Sequence, residues 1–312
     1  MEILRFLEGI RTPVLDTIMG IVTFLGDEYV YLAAVLVLLW CVDKKWGYRL
    51  YVFGMIGTTL NQLLKAVFLV PRPWVTDPSF TIVESAREGA SGYSFPSGHT
   101  QSATVLFQTL EERVNEKRHK RRNFSIYLVL ILLTAFSRMY LGVHTPLDVG
   151  VSLIIGVLSV MLFIPMMNKA EKSKGGVTAV SIAVLAFAVA FLIYILQSIP
   201  GEKNIAEFDE HALKNAYTLV GTTAGMMAAW QLDIRWVKYE TKAAWWAQAL
   251  KVALGLGIVL LIQNVLKEPL YSLTNGHYFA DTVRYFLIAL VGAGIWPMTF
   301  RLFPRPRKKK TA

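Results

Sequence analysis

Three cations, Lys65, Arg72 and Arg138, two histidines, His99 and His144, and one carboxylate, Asp148, lie where long apolar stretches of the chain end. They fall in three clusters: Lys65-x6-Arg72-Pro73, Pro96-Ser97-Gly98-His99, and Ser137-Arg138-x5-His144-x3-Asp148. Three cations held together repel one another unless a polyanion sits between them. The planar fork of arginine and the point charge of lysine both suit phosphate oxygens. The second cluster precedes a helix, whose free N–H groups and positive dipole end favour an anion. Gly98 lets the backbone approach an oxyanion closely. His144 and Asp148 are four apart, with Pro146 at a first helical turn, so they share one helix face. Asp148 then accepts from one ring nitrogen of His144 and leaves the other free to attack. His99 supplies a second imidazole, able to protonate a leaving oxygen near neutral pH. The chemistry within reach is phosphoryl transfer in which one histidine attacks, one donates a proton, and three cations clamp the phosphoryl group. No metal or other cofactor is required.

The elements that position these residues are apolar. Of the 312 residues, 54% are hydrophobic and 17% charged, against about 45–50% and about 25% in soluble domains. The excess sits in blocks of membrane-spanning length. A soluble enzyme, a disordered chain and a secreted disulfide scaffold are thereby disfavoured, and the single Cys41 permits no intrachain disulfide. The blocks are Glu28–Val42, 50–70, 100–112, 124–141, 148–167, 177–199, 216–236, 245–266 and 282–303. The first is short and the third polar, with Gln101, Ser102, Thr104, Gln108 and Thr109. Charge decides in favour of both. Loops 43–49, 113–123, 169–176 and 233–242 and tail 301–310 hold 21 of the 32 Lys and Arg. They alternate with the poorer loops only if all nine helices cross. Positive loops mark the cytoplasm, so the N-terminus is outside, the C-terminus inside, and all three polar clusters share the outer face. The prediction is an all-α, polytopic membrane helix bundle.

No cleavable signal peptide is evident, because Glu2 follows Met1 and the basic–apolar–small order is missing. In residues 1–26, Ile3, Leu4, Leu7 and Ile10 fall on one helical face and Pro13 interrupts. An amphipathic segment on the outer surface is expected, with a re-entrant hairpin into the first span as the alternative. The basic residues of 304–310 read as a cytoplasmic orientation anchor.

Each cluster alone has a plain structural account: a snorkelling lysine, a helix cap, a histidine–aspartate hydrogen bond. Eleven residue identities in order on one membrane face do not. Together they resemble the three signature motifs of the type-2 phosphatidic acid phosphatase superfamily. Its membrane branch includes lipid phosphate phosphatases, phosphatidylglycerophosphate and undecaprenyl-pyrophosphate phosphatases, sphingosine-phosphate phosphatases and glucose-6-phosphatase; its soluble branch includes vanadium haloperoxidases. The resemblance implies that Lys65, Arg72, Ser97, Gly98 and Arg138 bind phosphate. It makes His99 the acid, His144 the residue that forms a phosphohistidine, and Asp148 its orienting partner. It also implies a six-helix core, here the first six predicted helices in residues 1–199. Residues 200–312, with about three further transmembrane helices and a basic tail, exceed that core, and the motifs leave their role open.

Around the clusters, loop 74–95 reads equally as a gate or a passive connector. Trp74 and Tyr93 fit interfacial anchors better than substrate stacking. His211, Asn275 and His277 fall in ordinary outer loops, and His119 has no role. The expected function is an integral cell-membrane (inner-membrane) hydrolase of a lipid phosphate or pyrophosphate, undecaprenyl pyrophosphate foremost, with its site facing the periplasm or exterior. Phosphatidate, phosphatidylglycerophosphate and sphingoid phosphate are the alternatives within the class. The bilayer and a lipid phosphate are the expected partners, and nucleic acid is not. A lipid-binding or lipid-transport protein is the alternative of another class. Charge pairs deep in the C-terminal helices would favour it, but Lys251, Gln263 and Arg284 lie near span ends.

Overall fold

The computed structural model describes residues 1–118, 126–198 and 206–305. His119, part of loop 200–215 and all but the first two residues of 304–310 lie outside the described residues. Among the described residues there are helices and turns and no strand. In chain order the α-helices are α1 (Glu2–Gly9), α2 (Pro13–Thr23), α3 (Glu28–Val37), α4 (Lys44–Phe68), α5 (Pro73–Thr76), α6 (Gly98–Arg118), α7 (Ile126–Tyr140), α8 (Pro146–Lys172), α9 (Gly176–Ser198), α10 (Ala206–Leu232), α11 (Trp245–Val265), α12 (Lys267–Leu273) and α13 (Phe279–Leu290).

Among the described residues, every predicted apolar block falls largely on a helix. Among the described residues, five helical stretches are long and apolar enough to cross a membrane: Lys44–Thr76, Pro146–Lys172, Gly176–Ser198, Trp245–Leu273 and Phe279–Leu302. A sixth arises if Pro13–Gly26 and Glu28–Val42, bent by 48° at their junction, act together. The polarity of α6 has a structural cause. Its Thr100, Gln101, Thr104 and Thr109 are buried. Gln101 donates to the Gly57 carbonyl of α4 at 2.8 Å and accepts from Asn61 at 2.9 Å. Thr104 returns its hydroxyl to the Thr100 carbonyl and packs against Gly156 of α8. An interior helix satisfies its polar groups against neighbouring helices, so hydropathy undervalues it.

The chain forms two compact units that interleave in sequence. One comprises Met1–Leu32, Phe53–Asn168 and Ser198–Ala212; the other comprises Ala33–Val52, Lys169–Gln197 and Leu213–Ala312. The second is tied internally by aromatic and ionic contacts. Tyr48 stacks on Trp230 with centroids 4.6 Å apart, and the Trp40 indole donates to the Gly292 carbonyl at 2.9 Å. Arg49 grips Glu171 through two nitrogens, at 2.7 and 2.6 Å. In the same unit, Gly221 and Gly225 of α10 lie against the backbone of α13 at Thr282 and Phe286, where a Cβ would collide. Small residues of this kind let membrane helices approach closely.

In the first unit, the N-terminal segment is more than the expected surface helix. Leu4 and Leu7 of α1 are buried, packed in part on Phe80 and Ile82, while Ile3 and Ile10 stay exposed. Arg5 pairs with Glu8 at 2.8 Å and Asp77 at 2.6 Å. Pro13 does not break a helix. It starts α2 at the first turn, where a missing N–H is harmless, behind the Thr12 cap. After α2 a short 3-10 turn, Phe24–Gly26, enters the region that gathers the polar clusters.

Candidate active site

All the residues singled out by spacing lie in the first unit, on the ends of α4, α6, α7 and α8 and the links between them. Lys65 is in the last turn of α4, and Arg72 immediately precedes α5. Between them Leu69 has φ +51°, a left-handed conformation uncommon for a branched side chain, and it turns the chain out of α4. Ser97, Gly98 and His99 form the start of α6, Arg138 lies in the last turn of α7, and Asp148 in the first turn of α8. Backbone bonds fasten these ends: Ser94 N–H to the Val70 carbonyl at 2.8 Å, and Ser97 N–H to the Asp148 carbonyl at 3.3 Å. The Arg138-to-His144 spacing contains Gly142 at φ +83°, where a Cβ would also strike Arg11 and Phe80. Only glycine makes that turn without strain.

His144 is 1% exposed. Its Nε2 lies 3.0 Å from Arg72 Nη1, and its Nδ1 3.5 Å from Asp148 Oδ2. Arginine only donates, so Nε2 is the acceptor and the ring proton sits on Nδ1, facing the carboxylate. Asp148 is itself held from two further sides. Its Oδ2 accepts from Ser94 Oγ at 2.6 Å and from the Thr145 N–H at 2.7 Å, while Thr145 Oγ1 accepts from the Asp148 N–H at 3.3 Å. Thr145 and Asp148 thus form a reciprocal cap on α8, and the cap fixes the carboxylate that orients the histidine. His144 lies in the turn between α7 and α8, outside the helices. Burial, and then the charges of Arg72, Arg138 and Lys65, hold its pKa well below the usual imidazole value, so it stays neutral.

The cations are immobilised by carbonyls rather than by carboxylates. Arg72 donates to Gly92, Val143 and Ser91 carbonyls at 3.0, 2.9 and 2.9 Å, and Lys65 donates to the Tyr93 carbonyl. Arg138 donates to Thr23 Oγ1 at 2.7 Å and to the Gly89 carbonyl at 3.5 Å, and its Nε is buried without a hydrogen-bond partner. Positive charge fixed in place with donor capacity to spare suits an incoming anion. At the head of α6, Ser97 Oγ accepts from Thr100 N–H at 3.4 Å, capping the helix. Asn61 carries Pro96 on its side-chain amide at 3.4 Å.

Loop 74–95 packs down on this cluster. Ala86 and Ala90 join Tyr140, Leu141 and Val143 in a small core with Leu15, Met19, Trp74 and Val83 at its edge. Trp74 lies against the guanidinium groups of both Arg72 and Arg87. Tyr93, expected as an interfacial anchor, is buried, and its carbonyl accepts from Lys65. Spacing missed Ser94, Thr23 and Asp27. Ser94 had a signal, since it stands three residues before Ser97 in the same polar run. Thr23 and Asp27 had none, because nothing local ties residues 23–27 to His99. The structure does: Asp27 Oδ2 is 3.9 Å from His99 Nε2, and a Cβ on Gly26 would sit 2.3 Å from the His99 carbonyl oxygen.

Apolar helices of membrane-crossing length that carry a histidine–cation cluster at their ends define a membrane protein equipped for phosphate chemistry. The chain matches the PAP2 superfamily over residues 47–172, which contain every motif residue, and the PAP2 superfamily phosphatase transmembrane extension over residues 217–308. It is 32% identical over 171 residues to the undecaprenyl-diphosphatase BcrC of Bacillus subtilis, covering 52% of this chain and 81% of that protein. It is 30% identical to the phosphatidylglycerophosphatase B of the same bacterium, over 48% of this chain and 73% of that one. To a probable sphingosine-1-phosphate phosphatase of Dictyostelium discoideum it is 30% identical, over 50% of this chain and only 39% of that one. Among solved structures, the crystal structure of Aquifex aeolicus LpxE is similar over 53% of this chain and 93% of that chain, at 26% identity and a TM-score of 0.44. The chain belongs to the PAP2 superfamily. It is a membrane lipid phosphate phosphatase.

Proposed function

We propose that the chain hydrolyses a polyprenyl diphosphate, undecaprenyl diphosphate foremost, at the extracytoplasmic face of the cell membrane. The observation that carries the chemistry is the placement of His144 Nε2 beside Arg72, with Nδ1 turned to Asp148. The substrate ranking is supported by the similarity to BcrC over most of that protein's length. In this reading Lys65, Arg72, Arg138, Ser97 and the backbone at Gly98 hold the terminal phosphoryl group. His144 Nε2 attacks phosphorus while the bond to the leaving oxygen breaks; that oxygen takes the electron pair and a proton from His99. Neutral His99 then removes a proton from water, whose oxygen displaces His144 and releases inorganic phosphate. Catalysis resides in residues 1–199, and residues 200–312 add membrane helices to that core. The basic loops face the cytoplasm and the site faces outward, so a lipid made inside must cross the bilayer first.

The test is phosphate release by purified protein from undecaprenyl diphosphate, phosphatidylglycerophosphate, phosphatidate and sphingosine phosphate, wild type beside His144→Ala. The proposal expects the highest kcat/KM on the polyprenyl diphosphate and none from the variant. A second reading, phosphatidylglycerophosphate hydrolysis, is favoured by the similarity to phosphatidylglycerophosphatase B; it prevails if that lipid leads the panel.

A further inference from the structure

His144, in the turn before α8, has its orienting carboxylate in Asp148 of the first turn of α8. Burial first, and then the charges of Arg138, Arg72 and Lys65, disfavour the charged form of His99. An acid must carry its proton when the leaving oxygen departs, and surrounding cations oppose that charge. The one carboxylate at ion-pair distance from His99 among the described residues is Asp27, with Oδ2 3.9 Å from His99 Nε2. It comes from outside the motif-bearing stretch, at the break between α2 and α3.

Its placement is dictated by packing. Gly26 lies directly on the first turn of α6, where a Cβ would meet the His99 carbonyl oxygen at 2.3 Å and the Thr134 methyl at 2.9 Å. Thr23, one turn earlier, accepts from Arg138 at 2.7 Å. Asp27 Oδ1 accepts from the Tyr29 N–H at 2.8 Å, which leaves Oδ2 directed at His99. The side chain thus has two duties, one as a helix cap and one toward the imidazole, and they use different oxygens.

We propose that Asp27 is a positioning residue for the acid: its carboxylate orients His99 and favours the imidazolium that protonates the leaving oxygen. The proposal rests on His99 being that acid. In the step concerned, the phosphorus–oxygen bond breaks, its electron pair stays on the leaving oxygen, and the proton passes from His99 to that oxygen. A leaving group that is already a weak base needs this proton little, and an alkoxide needs it greatly.

Asp27→Asn separates the two duties, because asparagine caps a helix as well as aspartate does. The measurement is kcat on decyl phosphate, with an alkoxide leaving group, beside p-nitrophenyl phosphate. Asp27→Asn is expected to lose about tenfold or more on the alkyl ester and about threefold or less on the aryl ester. His99→Ala should show the same split, larger. Inhibition by vanadate, which reports on Arg138 and the phosphate cradle, should be unchanged in Asp27→Asn. If Asp27→Asn lowers both esters equally, lowers neither, or weakens vanadate binding in proportion, Asp27 does not act through His99 and the proposal is overturned. If His99→Ala itself shows no leaving-group split, the acid assignment fails, and Asp27 fails with it. Should Asp27→Asn not accumulate as a folded, monodisperse protein in detergent, Asp27→Ser, also a good cap without charge, carries the same comparison.

Discussion

His144 Nε2 faces Arg72 Nη1 at 3.0 Å, while Nδ1 faces Asp148. In the proposed mechanism the attacking lone pair is therefore engaged by the group that is to hold the phosphate. An arriving phosphoryl oxygen that takes over the Arg72 donor frees Nε2 as it delivers the phosphorus to it. Binding and exposure of the nucleophile become one event. Removing either end has a distinct consequence. His144→Ala is expected to lower kcat by at least ~10³-fold, since no neighbouring side chain replaces the attacking imidazole. Asp148→Asn should retain measurable turnover, roughly 10²- to 10³-fold down, because it disturbs tautomer and orientation rather than attack. Turnover by His144→Ala within about tenfold of wild type would falsify the assignment.

Ser94 is the partner that spacing did not single out. Its hydroxyl donates to Asp148 at 2.6 Å and sits 3.5 Å from His144 Nδ1. Ser94→Ala leaves a buried carboxylate short of one donor, at about 1–2 kcal/mol. The expected result is a roughly tenfold lower kcat with KM little changed. A KM effect alone would place Ser94 in substrate binding instead.

The low pKa of His144, caused first by burial and then by Arg72, Arg138 and Lys65, sets the acid limb of the pH profile. The histidine acts when neutral, and a lowered pKa keeps it neutral to lower pH. The acid limb of kcat/KM, corrected for the substrate's own ionisation, should therefore fall below the ordinary imidazole value of about 6.5. Arg72→Gln removes one of the opposing charges, so the limb should move upward in whatever activity remains. A downward movement contradicts the charge arrangement.

In the proposed mechanism Lys65, Arg72 and Arg138 supply the charge stabilisation that a divalent cation supplies in other phosphoryl-transfer sites. Turnover is expected to persist in EDTA without added Mg²⁺. Vanadate, which adopts the five-coordinate geometry of the transition state, should inhibit competitively and more tightly than phosphate. Collapse in EDTA with recovery on Mg²⁺ would contradict this picture.

The proposed sidedness rests on the alternation of basic loops. Ser91 and Lys117 are both exposed, the first in loop 74–95 and the second near the end of α6. With Cys41→Ala as background, Ser91→Cys should react with an impermeant thiol reagent in intact cells or spheroplasts. Lys117→Cys should react only after lysis. Reversed labelling inverts the orientation. Labelling of both from outside means α6 does not cross.

The sequence by itself determined the helical class, the membrane setting and the composition of the cluster. These are written locally: apolar runs of fixed length, basic loops in alternation, and polar residues at helix ends. The four-residue spacing pointed to the pairing of His144 with Asp148, but it implied one shared helix face, whereas His144 lies in the turn before α8 and reaches the carboxylate across the helix cap. The tertiary structure decided what depends on residues distant along the chain. Gln101 made α6 look weak because a sequence does not display the Asn61 and Gly57 that satisfy it. The interleaving of two compact units along the chain was likewise not written locally, since helix packing is blind to chain order. Asp27 reaches His99 across seventy-two positions only because Gly26, lacking a side chain, lies flat on the first turn of α6. Periodicity records which face of a helix is buried, whereas the partner it is buried against is fixed only when the whole chain packs.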